Sequence, residues 1–253
     1  MTGLRLLEIK VRHNVTDAAF KEFITATNST SISLYLLIRT LKNIVPLKPI
    51  WVDMCINSCC AFTGDYERLN ECIYCKAKRY REGGLSRAQV AYFSVRDRLA
   101  IQYQDPTRAK QLRYRSEYIS RNIDGAIGDV FDGAQYKNLS QKGYFQDDRD
   151  IVLLGSVDGY QLFKQKCDDC WIVLFINANL PPDQRVKKEN LLITSIIPGP
   201  KAPKDFNSFM KPIVEELCML EGNFIKFINL FNCIVIIILF IQILIINLYN
   251  RWY

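Results

Sequence analysis

Four cysteines near the start of the chain have the spacing of a metal-binding site. Cys55 and Cys59 form one close pair, and Cys72 and Cys75 form a second pair after twelve intervening residues. Tetrahedral zinc takes four soft ligands, which two short cysteine turns supply when the chain between them folds back. The sequence therefore predicts structural Zn²⁺ at these four positions. Cys60 is an alternative ligand to Cys59, and buried reduced thiols without a metal are the competing interpretation.

Composition indicates the environment of these thiols. The chain has 253 residues, nine cysteines and a formal net charge of +7. The charged start of the chain lacks the apolar core of a secretory signal, so we expect a reduced compartment and metal-binding thiols rather than a disulfide framework. The modest positive charge is compatible with a polyanionic partner but does not require one. One large domain or two small domains fit this length.

A second candidate for chemistry is a carboxylate, Asp158. It follows the apolar run Ile151–Val157 and precedes Gly159, so it lies where a strand is expected to end. A carboxylate at that place either binds a cation or caps the turn. Other acidic groups lie in segments typical of turns, and we favour turns over metal binding there. They are Asp129 and Asp132, and Asp147, Asp148 and Asp150.

Three strands and a helix are predicted to position this carboxylate. Strand length and β-branched residues characterise three apolar runs, Ile151–Val157, Trp171–Asn177 and Leu191–Ile197. Prolines follow the second and third runs, and proline cannot continue a ladder because it has no N–H. The amphipathic segment Phe206–Leu220 comes next. This order, with an acid on the first strand, resembles the beginning of the ribonuclease H-like nuclease fold, so the expected fold class is mixed α/β.

Basic residues form two groups suited to phosphate contact. One group borders the second cysteine pair, and the other lies on two predicted helices, about residues 95–103 and 106–119, with Pro106 in a first turn. Basic helices bind nucleic acid or serve as ordinary solvent faces, and the sequence leaves both interpretations open. The predicted nucleic-acid contacts are Lys76, Lys78, Arg79, Arg81, Arg108, Lys110, Arg113 and Arg115.

Periodicity also suggests how the chain is divided. Residues 1–50 have the pattern of short helices, with apolar residues on one face of residues 31–44. The predicted regions are a helical region (1–50), a zinc-knuckle-like segment (51–81), a basic helical region with a linker (82–147), a partial ribonuclease H-like domain (148–220) and a hydrophobic segment (227–249).

Three long phrases resemble one protein family. They are SVDGYQLF at residues 156–163, NANLPPDQRVKKENLLITSIIPGPKAPKD at 177–205 and PIVEEL at 212–217. They resemble the transposase of CACTA (En/Spm-type) DNA transposons and its fungal relatives, which also have a similar cysteine segment. The resemblance implies a nuclear protein that binds transposon ends, alone or with full-length transposase copies. It also implies Mg²⁺ held by three carboxylates, of which Asp158 matches the first.

The sequence departs from this family after the helix Phe206–Leu220. The family continues there with a strand that carries a second aspartate, whereas no acidic residue follows Glu221 in this sequence. A site with one carboxylate does not hold the two cations of phosphodiester chemistry. We therefore expect a truncated copy that binds DNA and has lost strand transfer.

The hydrophobic segment after this point gives an alternative location. Phe227–Tyr249 contains 23 residues and no charge. A helix of that length crosses a hydrocarbon core of about 30 Å, so the segment predicts a transmembrane helix and a tail-anchored membrane protein. The competing interpretation is a translated intron or a frameshift, because the resemblance stops here and the residue types are those of AT-rich codons.

Overall fold

A computed structural model of the protein divides the chain into two compact units, Met1–Lys48 and Pro49–Tyr253. The structure describes residues 2–26, 33–45, 47–121, 126–161, 169–220 and 235–239. Each unit has an apolar core of its own. The segments predicted as a knuckle, a basic helical region and a nuclease-like domain therefore all lie in the second unit.

The first unit consists of three helices. They are α1 (Thr2–Arg12), α2 (Asp17–Ala26) and α3 (Leu34–Ile44). One apolar residue from each helix is buried in the small core, namely Leu7, Phe20 and Leu37. The hydroxyl of Ser33 accepts the N–H of Leu36 and so caps α3, which is the usual role of serine at this position.

A six-stranded sheet forms the centre of the second unit. Its strands are β1 (Ile50–Asp53), β2 (Gln89–Tyr92), β3 (Ile151–Gln161), β4 (Asp169–Asn177), β5 (Leu192–Pro198) and β6 (Val235–Leu239). They lie in the order β1-β2-β5-β4-β3-β6. The first five strands of that order pair antiparallel, whereas β6 is parallel to β3. The three predicted strands are confirmed, and they lie side by side.

The second unit also contains helices, several of which pack on this sheet. They are α4 (Val95–Gln104), α5 (Pro106–Gln111), α6 (Tyr114–Arg121), α7 (Ala134–Gln141), α8 (Pro182–Arg185) and α9 (Phe206–Cys218). The main core joins α4 and α9 to the sheet, for example through Leu99, Ile213 and Phe175. The predicted amphipathic helix after β5 is therefore confirmed as α9.

A second core lies on the opposite side of β3. Val152 packs there with Phe131, Tyr136 and Phe145, whereas its neighbours along β3, Ile151 among them, belong to the main core. The rings of Tyr136 and Phe145 are stacked with their centroids 4.8 Å apart. Because side chains alternate along a strand, the first half of β3 is buried on both faces.

The basic segment contains three helices where two were predicted. Pro106 begins α5 as expected, and the Asp105 carboxylate accepts the N–H groups of Thr107 and Arg108. The chain then turns at Leu112, which is 1% exposed, before α6 begins. Burial of Leu112 accompanies this turn, and the apolar periodicity of residues 106–119 does not reveal it.

Strand β3 extends further than the sequence predicts. It continues through Asp158 and Gly159 to Gln161 instead of ending in a turn. Gly159 lies directly opposite Trp171 of β4, and a Cβ atom at Gly159 would lie 3.4 Å from the indole ring. A Cβ atom at that distance makes an ordinary van der Waals contact, so Trp171 does not by itself require glycine here. Because the strand continues past it, Asp158 does not cap a turn.

The predicted transmembrane segment also differs from expectation. Its described part, Val235–Leu239, is strand β6 rather than a helix, while the predicted span ends Phe227 and Tyr249 lie outside the described residues. A short run of β-branched residues suits a buried strand as well as an apolar helix, and periodicity does not separate the two. Among the described residues, no helix has both the length and the apolar character that crossing a membrane requires.

Candidate metal centre and carboxylate

The four predicted cysteine ligands come together in one cluster. The Sγ atoms of Cys55, Cys59, Cys72 and Cys75 all lie within 4.8 Å of one another. Three of the residues are buried and Cys75 is half-buried. Four thiol sulfurs gathered this closely form a donor set of the kind that holds a soft divalent cation. The structure therefore confirms the predicted grouping and gives it the donor chemistry of a metal site.

Two tight turns with left-handed residues create this arrangement. In the first turn the N–H of Cys55 donates to the carbonyl of Cys60 at 2.9 Å, and Ser58 has a φ of +58°. In the second turn the N–H of Cys72 donates to the carbonyl of Ala77 at 2.9 Å, and Lys76 also has a φ of +58°. Each turn presents its two cysteines on the same side, so both pairs point at a common centre.

The environment of the sulfur atoms favours a bound cation. Burial raises the pKa of the Cys55 and Cys59 thiols. Burial also opposes ionisation of Cys75, but the side-chain amide of Asn57 and the N–H of Ala77 lower the pKa of that thiol to about 6. The buried Cys55 and Cys59 thiols keep their protons unless a cation replaces them. The cluster therefore suits a metal ion that binds thiolates.

Cys60 is adjacent to the cluster but is not one of the four. Its Sγ atom lies 3.8 Å from the Sγ atom of Cys72, and the residue is 1% exposed. Burial raises the pKa of its thiol to about 12. Of the two alternatives in the first turn, Cys59 completes the set and Cys60 packs behind it.

The first cysteine turn is attached to the connection between β5 and α9. The carbonyl of Cys59 accepts the N–H groups of Lys204 and Asp205 at 3.0 and 2.9 Å. The hydroxyl of Ser58 donates to the carbonyl of Pro198, the last residue of β5, at 2.7 Å. The cysteine cluster is therefore joined to the end of the sheet and is not a separate finger.

The same turn also stabilises the beginning of α9. The N–H of Ala61 donates to the hydroxyl of Ser208 at 2.9 Å, and Thr63 donates to the carbonyl of Ser208. Asp205 caps the helix by accepting the N–H of Ser208 at 3.2 Å. The residues after Cys59 and the first turn of α9 therefore share one hydrogen-bond network.

Asp158 lies on β3 with its side chain exposed. Its Cα partner on β4 is Ile172, which faces Ile196 of β5 in turn. Ile196 is 47% exposed. Directly opposed residues of neighbouring antiparallel strands project from the same face, so the carboxylate borders an apolar and partly open part of the sheet.

Most of the predicted phosphate contacts lie at the surface. Arg108 is half-buried, and the others in this group are exposed, namely Lys76, Lys78, Arg81, Lys110 and Arg113. Their exposure is compatible with contact to a polyanion and equally with an ordinary solvent face. Contact with nucleic acid therefore stays a prediction for these residues.

Arg79 has structural partners instead. Its guanidinium forms an ion pair with Asp53 at 2.8 Å, and the two side chains are 13% and 12% exposed. It also donates to the carbonyl of Glu67 at 2.7 Å and lies over the ring of Phe62. These contacts connect β1 to the cysteine segment. Arg79 therefore stabilises the fold, and its charge is already paired with Asp53.

Arg115 differs from the prediction more strongly. It is 2% exposed, and its guanidinium donates to the carbonyls of Asp150, Phe145 and Asp147 and to the hydroxyl of Tyr136. A guanidinium enclosed in this way does not reach a phosphate at the surface. The burial of Arg115 was not predictable from the sequence, because Arg115 lies among exposed basic residues of a helix with no apolar stripe.

The acidic pair Asp129 and Asp132 is engaged by protein donors. Asp129 forms a two-point ion pair with Arg185, with N–O distances of 2.7 and 2.6 Å, and accepts the hydroxyl of Tyr114. Asp132 accepts the N–H of Asp129 at 3.0 Å and closes a capping box. The structural interpretation of this acidic pair is therefore correct.

A polar cluster at the end of β4 was not predicted from the sequence. Asn179 is fully buried; its side chain accepts the N–H of Val152 at 2.9 Å and donates to the carbonyls of Leu112 and Asp150 at 3.2 and 2.8 Å. Arg185 belongs to the same phrase, NANLPPDQR. Polar residues next to a buried strand, followed by a proline pair, were the signal that could have identified this cluster.

Comparison with known proteins supports a family assignment for part of the chain. Residues 124–246 match the model of the transposase family tnp2. This segment contains β3, β4, β5, α9 and β6 together with Asp158, and the cysteine cluster lies outside it. No curated protein and no solved structure matches the chain. The family match supports a transposase-like protein.

Proposed function

We propose that this chain is the DNA-binding, transposase-like product of a CACTA-type transposon. In this proposal it has the first part of a ribonuclease H-like domain and a structural zinc centre. The family match gives the transposase assignment. The finer features rest on the topology, the position of Asp158 and the cysteine cluster. DNA as the partner implies a nuclear location.

The strand order is the observation that carries the proposal. Three antiparallel strands follow one another, helix α9 returns the chain across the sheet, and β6 then pairs parallel to β3 on its free side. The parallel pairing is what the ribonuclease H-like fold requires of its fourth strand, and Asp158 lies on its first. The sequence predicted a truncated copy that departs from the family before this strand, whereas in this proposal β6 takes its place.

The carboxylates limit the chemistry of this chain. Nucleases and strand-transfer enzymes of this fold hold two divalent cations about 3.5–4 Å apart, and several carboxylates coordinate them. Asp158 supplies one such ligand on β3, and no acidic residue follows Glu221 in the sequence. The chain of this sequence is therefore proposed to bind DNA without cutting or joining it, and Mg²⁺ chemistry needs further carboxylates.

The cysteine cluster is proposed to hold zinc as a structural element. Four thiolates without a free coordination position cross-link the two cysteine turns, and they leave no open position for a substrate. The hydrogen bonds that Lys204 and Asp205 donate to the Cys59 carbonyl extend this cross-link to the beginning of α9. Zinc binding thus stabilises the sheet that presents Asp158.

The proposal is tested by DNA binding and cleavage with the purified chain. We expect an affinity for duplex DNA that falls steeply as salt is raised from 50 to 200 mM, because phosphate contacts release counterions. We expect no cleavage or joining of transposon-end DNA with Mg²⁺. Absence of salt-dependent binding would contradict the DNA-binding part. Cleavage that is lost in Asp158→Ala would contradict the inactive part.

A further inference from the structure

The candidate carboxylate and the cysteine cluster lie at the same end of the sheet. Tyr160 of β3, Cys170 of β4 and Pro198 of β5 are consecutive Cα partners in a row across three strands. Asp158 is two residues before Tyr160. With strands about 4.8 Å apart and residues about 3.3 Å apart along a strand, Pro198 lies about 12 Å from Asp158.

Lysines of two loops occupy this end. Lys76 is in the second cysteine turn, and Lys201 and Lys204 follow Pro198 in the connection that the Cys59 carbonyl binds. All three side chains are exposed, and none forms an ion pair with a residue that the structure describes. Lys78 faces Glu71 across an isolated bridge, so its charge is partly offset and it is left out of this group.

The basic helices α5 and α6 are attached to the opposite end. Leu112, which connects them, accepts a hydrogen bond from Asn179, and Asn179 also binds the N–H of Val152. Val152 precedes Asp158 by six residues, which corresponds to about 20 Å along β3. A phosphate held at α5 is therefore remote from the carboxylate.

We propose that DNA binds across the cysteine-cluster end of the sheet, with Lys76, Lys201 and Lys204 as phosphate contacts. Each DNA strand advances about 3.4 Å per nucleotide, so three or four nucleotides span the distance from Asp158 to Pro198. Lysines at that distance contact the backbone three or four nucleotides to one side of a phosphodiester at Asp158. The helices α5 and α6 lie outside this path. The inference rests on the proposed DNA-binding function and specifies which face performs it.

Two triple variants with equal loss of charge test this assignment. One is Lys76→Gln, Lys201→Gln and Lys204→Gln, and the matched control is Arg108→Gln, Lys110→Gln and Arg113→Gln. Affinity for a mixed-sequence 30-base-pair duplex is measured at several salt concentrations. We expect the first variant to bind at least tenfold more weakly at low salt, with a salt slope smaller by about 2 to 3, because each lost phosphate contact reduces the slope by about 0.9. We expect a change of less than threefold in the control.

The possible outcomes separate the inference from the function on which it rests. Equal losses in the two variants, or a larger loss in the control, would overturn the assignment of the surface while DNA binding stands. Absence of binding by the unaltered chain overturns both. Lys76 is adjacent to the ligand Cys75, so metal content is measured for each variant. If the triple variant loses metal, the double variant Lys201→Gln and Lys204→Gln decides, with an expected slope change of about 2.

Discussion

The two ends of the central sheet both bury reactive side chains, but in different ways. At the cysteine end, four thiols lie within 4.8 Å of one another, and burial opposes the ionisation of Cys55 and Cys59. At the other end, Arg115, Arg185 and Asn179 are nearly or fully buried, and their polar groups bind protein partners. The first end offers four ligands that could hold a cation, whereas the polar groups of the second end are paired within the chain.

This difference indicates how a buried polar cluster can be interpreted. A buried charge costs free energy unless it is paired, so a cluster that pairs within the chain is explained by stability alone. A cluster of side chains of one donor type, which only an added ion can satisfy, indicates a metal site. Asp129 and Asp132 pair within the chain and are explained by stability, although two carboxylates at this spacing would also suit a metal.

The largest expected effect is loss of the metal. We expect the double variant Cys72→Ser and Cys75→Ser to contain no zinc and to unfold without a cooperative transition, because structural zinc contributes about 10 kcal/mol or more to small domains that depend on it. Elemental analysis and thermal unfolding by circular dichroism measure this. Cys60→Ser is the matched control, since Cys60 is buried beside the set, and it should retain one zinc per chain. Unchanged metal content in the double variant rules out the site.

The next effect concerns the end of the sheet with Arg115, Arg185 and Asn179, which we call the self-paired end because its polar groups bind one another and the backbone. Arg185→Met removes one partner of the ion pair with Asp129, whose side chains are 6% and 2% exposed. A carboxylate left buried without its partner typically costs about 3–5 kcal/mol. We expect a loss of that size in the free energy of urea unfolding, with zinc content unchanged.

An exposed ion pair provides the control for this prediction. Arg149 and Asp147 form a pair whose side chains are 46% and 39% exposed. Arg149→Met should cost less than about 1 kcal/mol, because exposed pairs contribute little. Similar losses for Arg185→Met and Arg149→Met would show that burial does not separate the two pairs.

Local patterns predicted three of the six strands and the cysteine cluster, but not β1, β2 or β6. The strands β3, β4 and β5 follow from β-branched runs bounded by proline, and the cysteine set follows from spacing alone. The position of β6 was not predictable, because Val235–Leu239 and its neighbours are apolar in every position and an apolar run carries no period. Only the free edge of β3 decides that this run forms a strand.

The role of individual basic residues was also beyond the sequence. Arg113 and Arg115 are two positions apart on a charged segment, and one is exposed while the other is 2% exposed. Arg115 is buried because it binds Tyr136 of the second core. The members of that core come from separate parts of the chain. Helical charge patterns therefore indicated a basic surface without indicating which side chains are available to it.

A smaller effect is expected at Asn179. Asn179→Leu keeps the branching of the side chain but leaves the N–H of Val152 and the carbonyls of Leu112 and Asp150 without this partner. Unsatisfied buried groups cost about 1–3 kcal/mol each, although relaxation recovers part of this. We expect a loss of about 2–3 kcal/mol in urea unfolding. Asn138→Leu, at an exposed position of α7, is the control and should change stability by less than about 0.5 kcal/mol.

The smallest effect is the acid dependence of the ion pair at the self-paired end. Burial by itself raises the pKa of Asp129, but Arg185, the Tyr114 hydroxyl and the N–H of Val130 together hold the pKa below its usual value of 3.8. A carboxyl with a lowered pKa contributes stability that is complete above pH 3.8 and is lost as the pH falls through the folded-state pKa. We therefore expect Asp129→Asn to flatten the decline of unfolding free energy below that pH.

An exposed carboxylate gives the comparison that makes this acid dependence informative. Arg149 lowers the pKa of the Asp147 carboxyl to about 2. Salt screens exposed charges more than buried ones. Asp147→Asn should therefore change the unfolding free energy at acidic pH when ionic strength is low, and much less when it is high. The effect of Asp129→Asn should persist in salt because its ion pair is buried. If salt abolished both effects equally, the contrast between a buried and an exposed pair would be wrong, and Asp129 would have to be regarded as solvated.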